Sequence, residues 1–290
     1  MRARVVTFSV IVTVIVALVG TTSWVMLSAC PPGRFVLVEG DVGGTEVPQD
    51  VREGASTIAS EYAETGSPYW RAYRDSLLEV YCGLPESDFL LVFNSGGQGM
   101  DEIGPEWASI LDGLREELDR LGYTNVLVIY ERTGEGFANF LRELRETALS
   151  YHEKAKALAS AVDFLVGHAE GSKVIFLGES AGAMMSSEAM RLLGDNERVF
   201  SIGTGTPFYY HAVSSERSLV INDNGLTPDT MHTADLWTVF KANLGRIPTY
   251  RPEEGHFLFY LRTPGHIYTW DHPGVRSQVT AFLEEQFAGE

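Results

Sequence analysis

The chain has 290 residues, of which 44% are hydrophobic and 11% aromatic, as is typical of a globular protein with a large buried core. Its formal net charge is −17, and its few basic residues are spread along the chain, which argues against nucleic acid or an anionic lipid surface as a partner. The two cysteines, Cys30 and Cys82, exclude a disulfide framework and the paired C-x-x-C of a structural zinc site.

The chain begins with a long apolar segment. Arg2 and Arg4 precede residues 5–33, which contain no charged residue. A membrane span needs about 20 apolar residues, so this run is long enough to cross a bilayer. We interpret residues 1–33 as a signal peptide or membrane anchor, and a buried core helix is the alternative. The positive flank is expected to stay in the cytoplasm while the rest is exported.

The end of that segment reads Leu27-Ser28-Ala29-Cys30, which resembles the lipobox of bacterial lipoprotein signals. The resemblance implies that Cys30 is lipidated and becomes the mature N-terminus, which would leave Cys82 as a single thiol. An uncleaved anchor and a cleaved secretory signal remain open, and without lipidation a Cys30–Cys82 disulfide is conceivable. All three interpretations place the body of the protein outside the cytoplasm, membrane-anchored in the first two.

Residues 34–87 give a weak pattern. A short strand is expected over residues 35–39 and a polar helix over residues 51–64, while the amphipathic segment 69–81 fits either a helix or a strand.

From residue 88 onward, short apolar runs alternate with segments of helical spacing. The predicted strands are residues 89–93, 126–130, 174–177, 199–202, 219–221 and 257–261, and the predicted helices are 107–121, 155–166, 181–193 and 275–283. Continuous apolar runs suit strands that are buried on both faces, and helices between them suit parallel crossovers. The pattern predicts an α/β domain over residues 88–290, with a doubly wound, mostly parallel sheet.

One strand-to-helix junction carries a motif. The strand at 174–177 runs into Gly178-Glu179-Ser180-Ala181-Gly182, with a helix directly after it. A serine on such a sharp turn exposes its Oγ, and the flanking glycines let the strand and helix backbones approach closely. The alternative is a structural turn between two glycines in which the serine has no catalytic role. The sequence here resembles the α/β-hydrolase superfamily from about residue 89 to the C-terminus, and the resemblance implies that Ser180 is a nucleophile.

The resemblance also implies a catalytic histidine between the last strand and the last helix. His266, in a Gly-His pair followed by Pro273 and an amphipathic helix, fits that order. His256, at the start of the predicted last strand, and His272, at the start of the helix, are its rivals, and a purely structural histidine is the common alternative.

The third member is expected after the penultimate strand, in the order serine, acid, histidine. Asp229 follows the Asn-Gly turn at residues 224–225, and Asp223 is the runner-up. Either residue could instead be a turn residue or a helix cap. As the acid, Asp229 would hold the tautomer of His266 and stabilise its cation.

Two backbone positions are candidates for the oxyanion hole. Ala181 starts the helix after the nucleophile, and the glycine-rich loop after residue 93 lies where the family builds its second donor, from Ser95 or Gly96. This loop departs from the His-Gly pattern of many relatives. A phosphate loop is the competing interpretation, but the Lys-Ser/Thr ending of a P-loop is missing.

Further residues are candidates for the surroundings of the site. Phe208 and Tyr209 could line an acyl or leaving-group pocket, or simply pack. The insertion over residues 131–151, with Phe137 and Phe140, could form a partial lid.

The sequence therefore predicts a membrane-tethered serine hydrolase of carboxylic esters or thioesters that needs no metal or organic cofactor. A peptidase or acyltransferase of the same superfamily stays open because fold does not settle function. A non-catalytic surface-anchored binding protein is the rival from another class. The expected partners are a small-molecule or lipid-like ester and the membrane, not nucleic acid, and the oligomeric state is open.

Overall fold

The computed structural model describes residues 31–39, 46–97, 103–133, 137–169, 171–245 and 262–289. Within these ranges six strands form one sheet in the order β1-β3-β2-β4-β5-β6. The strands are β1 (Arg34–Glu39), β2 (Phe89–Asn94), β3 (Asn125–Glu131), β4 (Lys173–Glu179), β5 (Val199–Thr204) and β6 (Ser218–Ile221).

The sheet is mostly parallel. β1 pairs antiparallel with β3, and every other neighbouring pair is parallel. All six residues of β2 and of β5 are buried, as expected for short apolar runs covered on both faces. The carboxyl ends of the parallel strands therefore meet at one edge, and the segments that follow β2, β4, β5 and β6 lie near one another.

Helices cover both faces of the sheet. The described helices are α1 (Gln49–Tyr62), α2 (Pro68–Gly83), α3 (Pro105–Arg120), α4 (Phe137–Ala148), α5 (His152–His168), α6 (Ala181–Leu193), α7 (Leu236–Asn243) and α8 (Pro273–Phe287). One core joins α1, α2, α5 and α6 to side chains such as Leu90 and Val128, and the other joins α3 and α8 to side chains such as Phe93 and Leu177. The predicted α/β fold with a mostly parallel sheet is confirmed.

The region before residue 88 is part of this architecture. β1 extends the sheet beyond β3, and α1 and α2 pack on one face. The segment 69–81, for which the pattern left two options, is a helix, because Pro68 occupies its first turn and the Ser67 side chain accepts a hydrogen bond from the Trp70 N–H at 3.2 Å.

Two of the described helices were not predicted. α4 lies in the segment that was interpreted as an insertion, although Phe137, Phe140, Leu141 and Leu144 have helical spacing, so the signal was present. α7 is eight residues long and exposes Leu236, Trp237 and Phe240, so it has no buried apolar stripe to reveal it. The predicted strand at 257–261 lies outside the described residues.

Residues 1–30, including Cys30 and its possible disulfide to Cys82, also lie outside the described residues. Among the helices that the structure describes, none combines the length and apolarity needed to span a bilayer.

Candidate active site

Ser180 lies directly between β4 and α6. Its backbone has φ 51° and ψ −111°, a left-handed conformation that is costly for a residue with a side chain. The Ser180 N–H donates to the Thr204 carbonyl at the end of β5, 2.8 Å away, and the Ser180 carbonyl accepts from the Met184 N–H at 3.1 Å. The turn is therefore held from both sides, which is the backbone arrangement expected of a nucleophile elbow.

The two motif glycines are required by close backbone contacts. A Cβ on Gly182 would lie 1.9 Å from the carbonyl oxygen of Asn94, and a Cβ on Gly178 would lie 2.6 Å from the backbone of Ala183. These contacts bring the end of β2 against the start of α6. The loop after β2 and the serine turn are thereby joined in one rigid corner.

Asp229 is fully buried in the segment after β6. Its Oδ1 accepts the backbone N–H groups of Met231 at 2.8 Å and His232 at 3.1 Å. Its Oδ2 faces His266 Nδ1 at 2.8 Å and accepts the Tyr268 hydroxyl at 2.7 Å. Burial raises the pKa of Asp229, but hydrogen bonds from His266 and Tyr268 and the charge of His266 outweigh it, so the pKa lies below its ordinary value.

His266 is oriented by its neighbours as well as by Asp229. A Cβ on Gly205 would lie 2.8 Å from Cε1 of the His266 ring, so the ring packs over that glycine. Gly205 follows Thr204, the residue whose carbonyl accepts the Ser180 N–H. The ring therefore lies beside the serine turn, although the described residues contain no hydrogen bond between the Ser180 hydroxyl and His266. Such contacts are often long in free enzymes.

The rival residues have structural roles. Asp223 accepts the Gly225 N–H through Oδ1 at 2.8 Å and closes a turn. His272 is the N-cap residue of α8, and its Nδ1 accepts the Thr269 N–H at 3.2 Å. His256 lies outside the described residues. Among the candidate residues that the structure describes, Asp229 and His266 are the aspartate and histidine that form a hydrogen bond with each other.

The candidate oxyanion loop follows β2. Ser95 is buried, and its carbonyl accepts Nη1 of Arg132 at 2.6 Å, while the Gly97 carbonyl accepts Nη2 of the same side chain at 3.2 Å. A Cβ on Gly96 would lie 3.1 Å from Oε2 of Glu179, so the loop backbone packs against the carboxylate of the residue before Ser180. The other predicted donor, the Ala181 N–H, belongs to the first residue of α6, where helix amides lack intrahelical partners.

Glu179 is a second carboxyl group at the site. Burial raises its pKa and the nearby Glu106 adds to that effect, while His266 and the Gly96 N–H act in the opposite direction. The net pKa lies above the ordinary value. The site thus contains one carboxyl group stabilised in its charged form, that of Asp229, and one that resists ionisation.

Phe208 and Tyr209 lie in the loop between β5 and β6. Their side chains are 45% and 51% exposed, and the two rings meet edge to face with centroids 5.4 Å apart. The Phe208 N–H donates to the Met231 carbonyl at 3.3 Å, which attaches this loop to the segment that carries Asp229. An exposed aromatic pair beside the site is available for substrate contact, and its role stays a prediction.

Tyr268, Glu179 and Arg132 were not among the site residues predicted from the sequence. Glu179 lies within the Gly-x-Ser-x-Gly motif and Tyr268 follows His266 by two residues, so the positions of both were a usable signal. Arg132 gave no signal, because its partners are backbone carbonyls 37 and 35 residues away. In the part of the chain that the structure describes, no group of three or more His, Cys, Asp or Glu residues is arranged to hold a metal ion.

Comparisons with protein-family models and with curated protein sequences found no match to this chain. Among solved structures, the chain is similar to a Trichoderma reesei cutinase in complex with a C11Y4 phosphonate inhibitor. The alignment covers 84% of this chain and 93% of that chain, with 14% sequence identity and a TM-score of 0.43. At this level of similarity, the chemistry of the chain has to be derived from its own residues.

Proposed function

We propose that the protein is a serine hydrolase that cleaves a carboxylic ester or thioester, with Ser180 as nucleophile, His266 as general base and acid, and Asp229 as the orienting acid. The observation that carries the proposal is the 2.8 Å hydrogen bond between His266 and the buried carboxylate of Asp229, beside a serine held in a left-handed turn. A buried carboxylate on a histidine next to a strained serine is the arrangement that activates a hydroxyl nucleophile.

The residues divide the chemistry as follows. His266 takes the proton of the Ser180 hydroxyl as its oxygen attacks the substrate carbonyl, and Asp229 stabilises the resulting imidazolium. His266 then gives the proton to the leaving alcohol or thiol, and the acyl group stays bound to Ser180. In the second half, His266 takes a proton from the water that attacks this acyl group and returns it to the Ser180 oxygen as the carboxylic acid leaves. The Ala181 N–H and the loop at Ser95 and Gly96 supply the donors for the oxyanion.

The direct test is fluorophosphonate labelling of the full-length protein beside Ser180→Ala. Labelling that disappears in the variant identifies an activated serine at position 180, because the reagent reacts with serines that are activated by a base. A folded wild-type protein that is not labelled would overturn the proposal and favour a non-catalytic binding protein. p-Nitrophenyl esters and thioesters of increasing acyl length then define the substrate class.

We also propose that the enzyme is exported and held at a membrane by residues 1–33. The support is the charge-free apolar run after Arg2 and Arg4. In a bacterial host, metabolic labelling with an alkyne fatty acid should be lost in Cys30→Ser if the lipobox-like sequence is lipidated. Membrane association that resists carbonate extraction, without fatty-acid labelling, would indicate an uncleaved anchor. Protein found in the medium would indicate a cleaved signal peptide. Protein confined to the cytosol would refute export.

A further inference from the structure

A fully buried arginine holds the candidate oxyanion loop. Arg132 follows β3, and its side chain has no exposed area. Nη1 donates to the Ser95 carbonyl at 2.6 Å and Nη2 to the Gly97 carbonyl at 3.2 Å. One rigid, planar guanidinium therefore binds two carbonyls of the same loop, which is a geometry that a lysine ammonium cannot reproduce.

The contact with Ser95 determines where one N–H points. The Ser95 carbonyl and the Gly96 N–H belong to a single planar trans peptide, so they point in opposite directions. With the carbonyl held by Arg132, the N–H is directed away from Arg132, and Gly96 lies against the carboxylate of Glu179, the neighbour of Ser180. Arg132 thus fixes the orientation of this peptide beside the serine turn.

Arg132 is itself held by a buried polar cluster. Glu143 on α4 faces Arg132 Nη2 at 3.3 Å and Lys154 Nζ at 3.1 Å. Lys154 also donates to the Arg132 carbonyl at 2.7 Å, and the Tyr151 hydroxyl donates to Glu143 at 2.6 Å. Burial raises the pKa of Glu143, but the charges of Arg132 and Lys154 and hydrogen bonds from Thr133 and Tyr151 bring it below its ordinary value.

Such a cluster is costly to bury, and stability alone is a weak reason to keep it. Well-packed apolar residues often replace buried ion pairs without loss of stability. Here the guanidinium donates two hydrogen bonds to loop carbonyls at the carboxyl edge of the sheet, beside the serine turn, so the cluster acts on the site itself.

We propose that Arg132 is a positioning residue of the active site, which fixes the Ser95–Gly96 peptide of the candidate oxyanion loop beside the serine turn, with Glu143 holding Arg132 in place. The proposal rests on the proposed hydrolase function.

The test compares Arg132→Lys with Arg217→Lys in the full-length protein. Arg217 is a matched control, because its guanidinium also binds backbone carbonyls, those of Gly194, Asn196 and Val199, at the opposite edge of the sheet. Loss of one oxyanion donor lowers kcat by about 10²- to 10³-fold, so a misdirected donor should cost Arg132→Lys about ten- to a hundredfold in kcat, with KM changed by less than about threefold. Arg217→Lys should keep the wild-type kcat.

A second readout separates positioning from general loosening. An aryl trifluoromethyl ketone forms a tetrahedral oxyanion adduct with an activated serine, so its affinity should fall in Arg132→Lys by the same factor as kcat/KM. Wild-type kcat in a folded Arg132→Lys variant, or equal losses in both arginine variants, would overturn the proposal.

Two milder variants cover the case in which Arg132→Lys does not fold. Glu143→Gln keeps the side-chain shape, and Tyr151→Phe removes one hydroxyl from Glu143. Both should lower kcat by about two- to tenfold at constant KM, and unchanged kcat in both would refute the proposal. Failure of the hydrolase function itself is recognised separately, because the wild-type protein would then show no Ser180-dependent labelling.

Discussion

The hydroxyl of Tyr268 donates to Asp229 Oδ2 at 2.7 Å. The same oxygen faces Nδ1 of His266 at 2.8 Å, so one carboxylate oxygen is shared by two donors from the same segment. Asp229 and Tyr268 are both buried, and the pKa of Tyr268 is raised by burial and by the hydrogen bond and charge of Asp229. Tyr268 thus stabilises the charged form of the acid and limits its rotation.

Tyr268→Phe tests this relationship. The substitution removes one hydrogen bond to a buried carboxylate, so we expect the free energy of unfolding to fall by about 1.5–3 kcal/mol and kcat to fall roughly three- to tenfold. Urea unfolding and ester hydrolysis measure the two effects. Tyr73→Phe is the matched control, since the buried Tyr73 hydroxyl donates to the Ala157 carbonyl in the other core. This variant should lose about 1 kcal/mol of stability with unchanged kcat. Equal loss of kcat in both variants would contradict the role of Tyr268.

The choice between the two aspartates is tested by Asp229→Asn and Asp223→Asn. An amide at position 229 cannot hold the required tautomer of His266 or stabilise its cation, so kcat should fall by about 10³- to 10⁴-fold. Asp223 closes a turn through the Gly225 N–H, which an asparagine can also accept, so its variant should stay within about twofold of wild type. The reverse order of effects would make Asp223 the acid.

The two site carboxyls predict opposite pH dependences of stability. The pKa of Asp229 is lowered on folding, so its contribution is present above about pH 4 and is lost as the pH falls through the lowered pKa. The pKa of Glu179 is raised, so the folded state is penalised as the pH rises above about 4.3 and the carboxyl ionises.

Urea unfolding from pH 3 to pH 7 checks both signs. Relative to wild type, Glu179→Gln should gain stability as the pH rises, while the stability deficit of Asp229→Asn should shrink as the pH falls. If the stability difference from wild type stays constant across this range for one of these variants, the ionisation of the replaced carboxyl is not coupled to folding.

Gly205→Ala tests the packing of the histidine ring. Gly205 has φ +61°, and a Cβ there would lie 2.8 Å from the His266 ring. Alanine should cost about 1–2 kcal/mol of stability for the left-handed backbone, and displacement of the ring should lower kcat by about a hundredfold. Gly194→Ala is the control, because Gly194 has φ +56° with nothing within 4 Å of its Cβ. It should lose stability but keep kcat, and full activity of Gly205→Ala would show that the ring can shift freely.

Phe208→Ala with Tyr209→Ala tests the predicted acyl contact. If these exposed rings bind the acyl chain, the double variant should raise KM for long-chain p-nitrophenyl esters several-fold and leave the acetate ester nearly unchanged. Leu192→Ala serves as a control, since this exposed residue lies 12 positions along α6 from Ser180, roughly 18 Å of helix. An unchanged preference for acyl length would assign the two rings to packing.

Much of the fold could be predicted from the sequence because the strands are buried on both faces of the sheet. Runs such as residues 89–93 contain only apolar side chains, because the helices that connect parallel strands cover both faces of the sheet. The order β1-β3-β2-β4-β5-β6 was not readable, because strand neighbours are chosen by contacts between distant segments. The short, exposed α7 was missed because nothing in its pattern requires burial.

The sequence by itself determined the local chemistry: a serine on a glycine-flanked turn after a strand, with an aspartate and a histidine following in a fixed order. Spacing could not choose between Asp229 and Asp223, since both follow β6 in a turn-rich segment. Only the tertiary structure distinguishes their environments, by burying one carboxylate against His266 and Tyr268 while the other closes a turn. Arg132 depends on the tertiary structure in the same way, because backbone carbonyls have no side-chain identity and their partner becomes known only when β2 and β3 lie side by side.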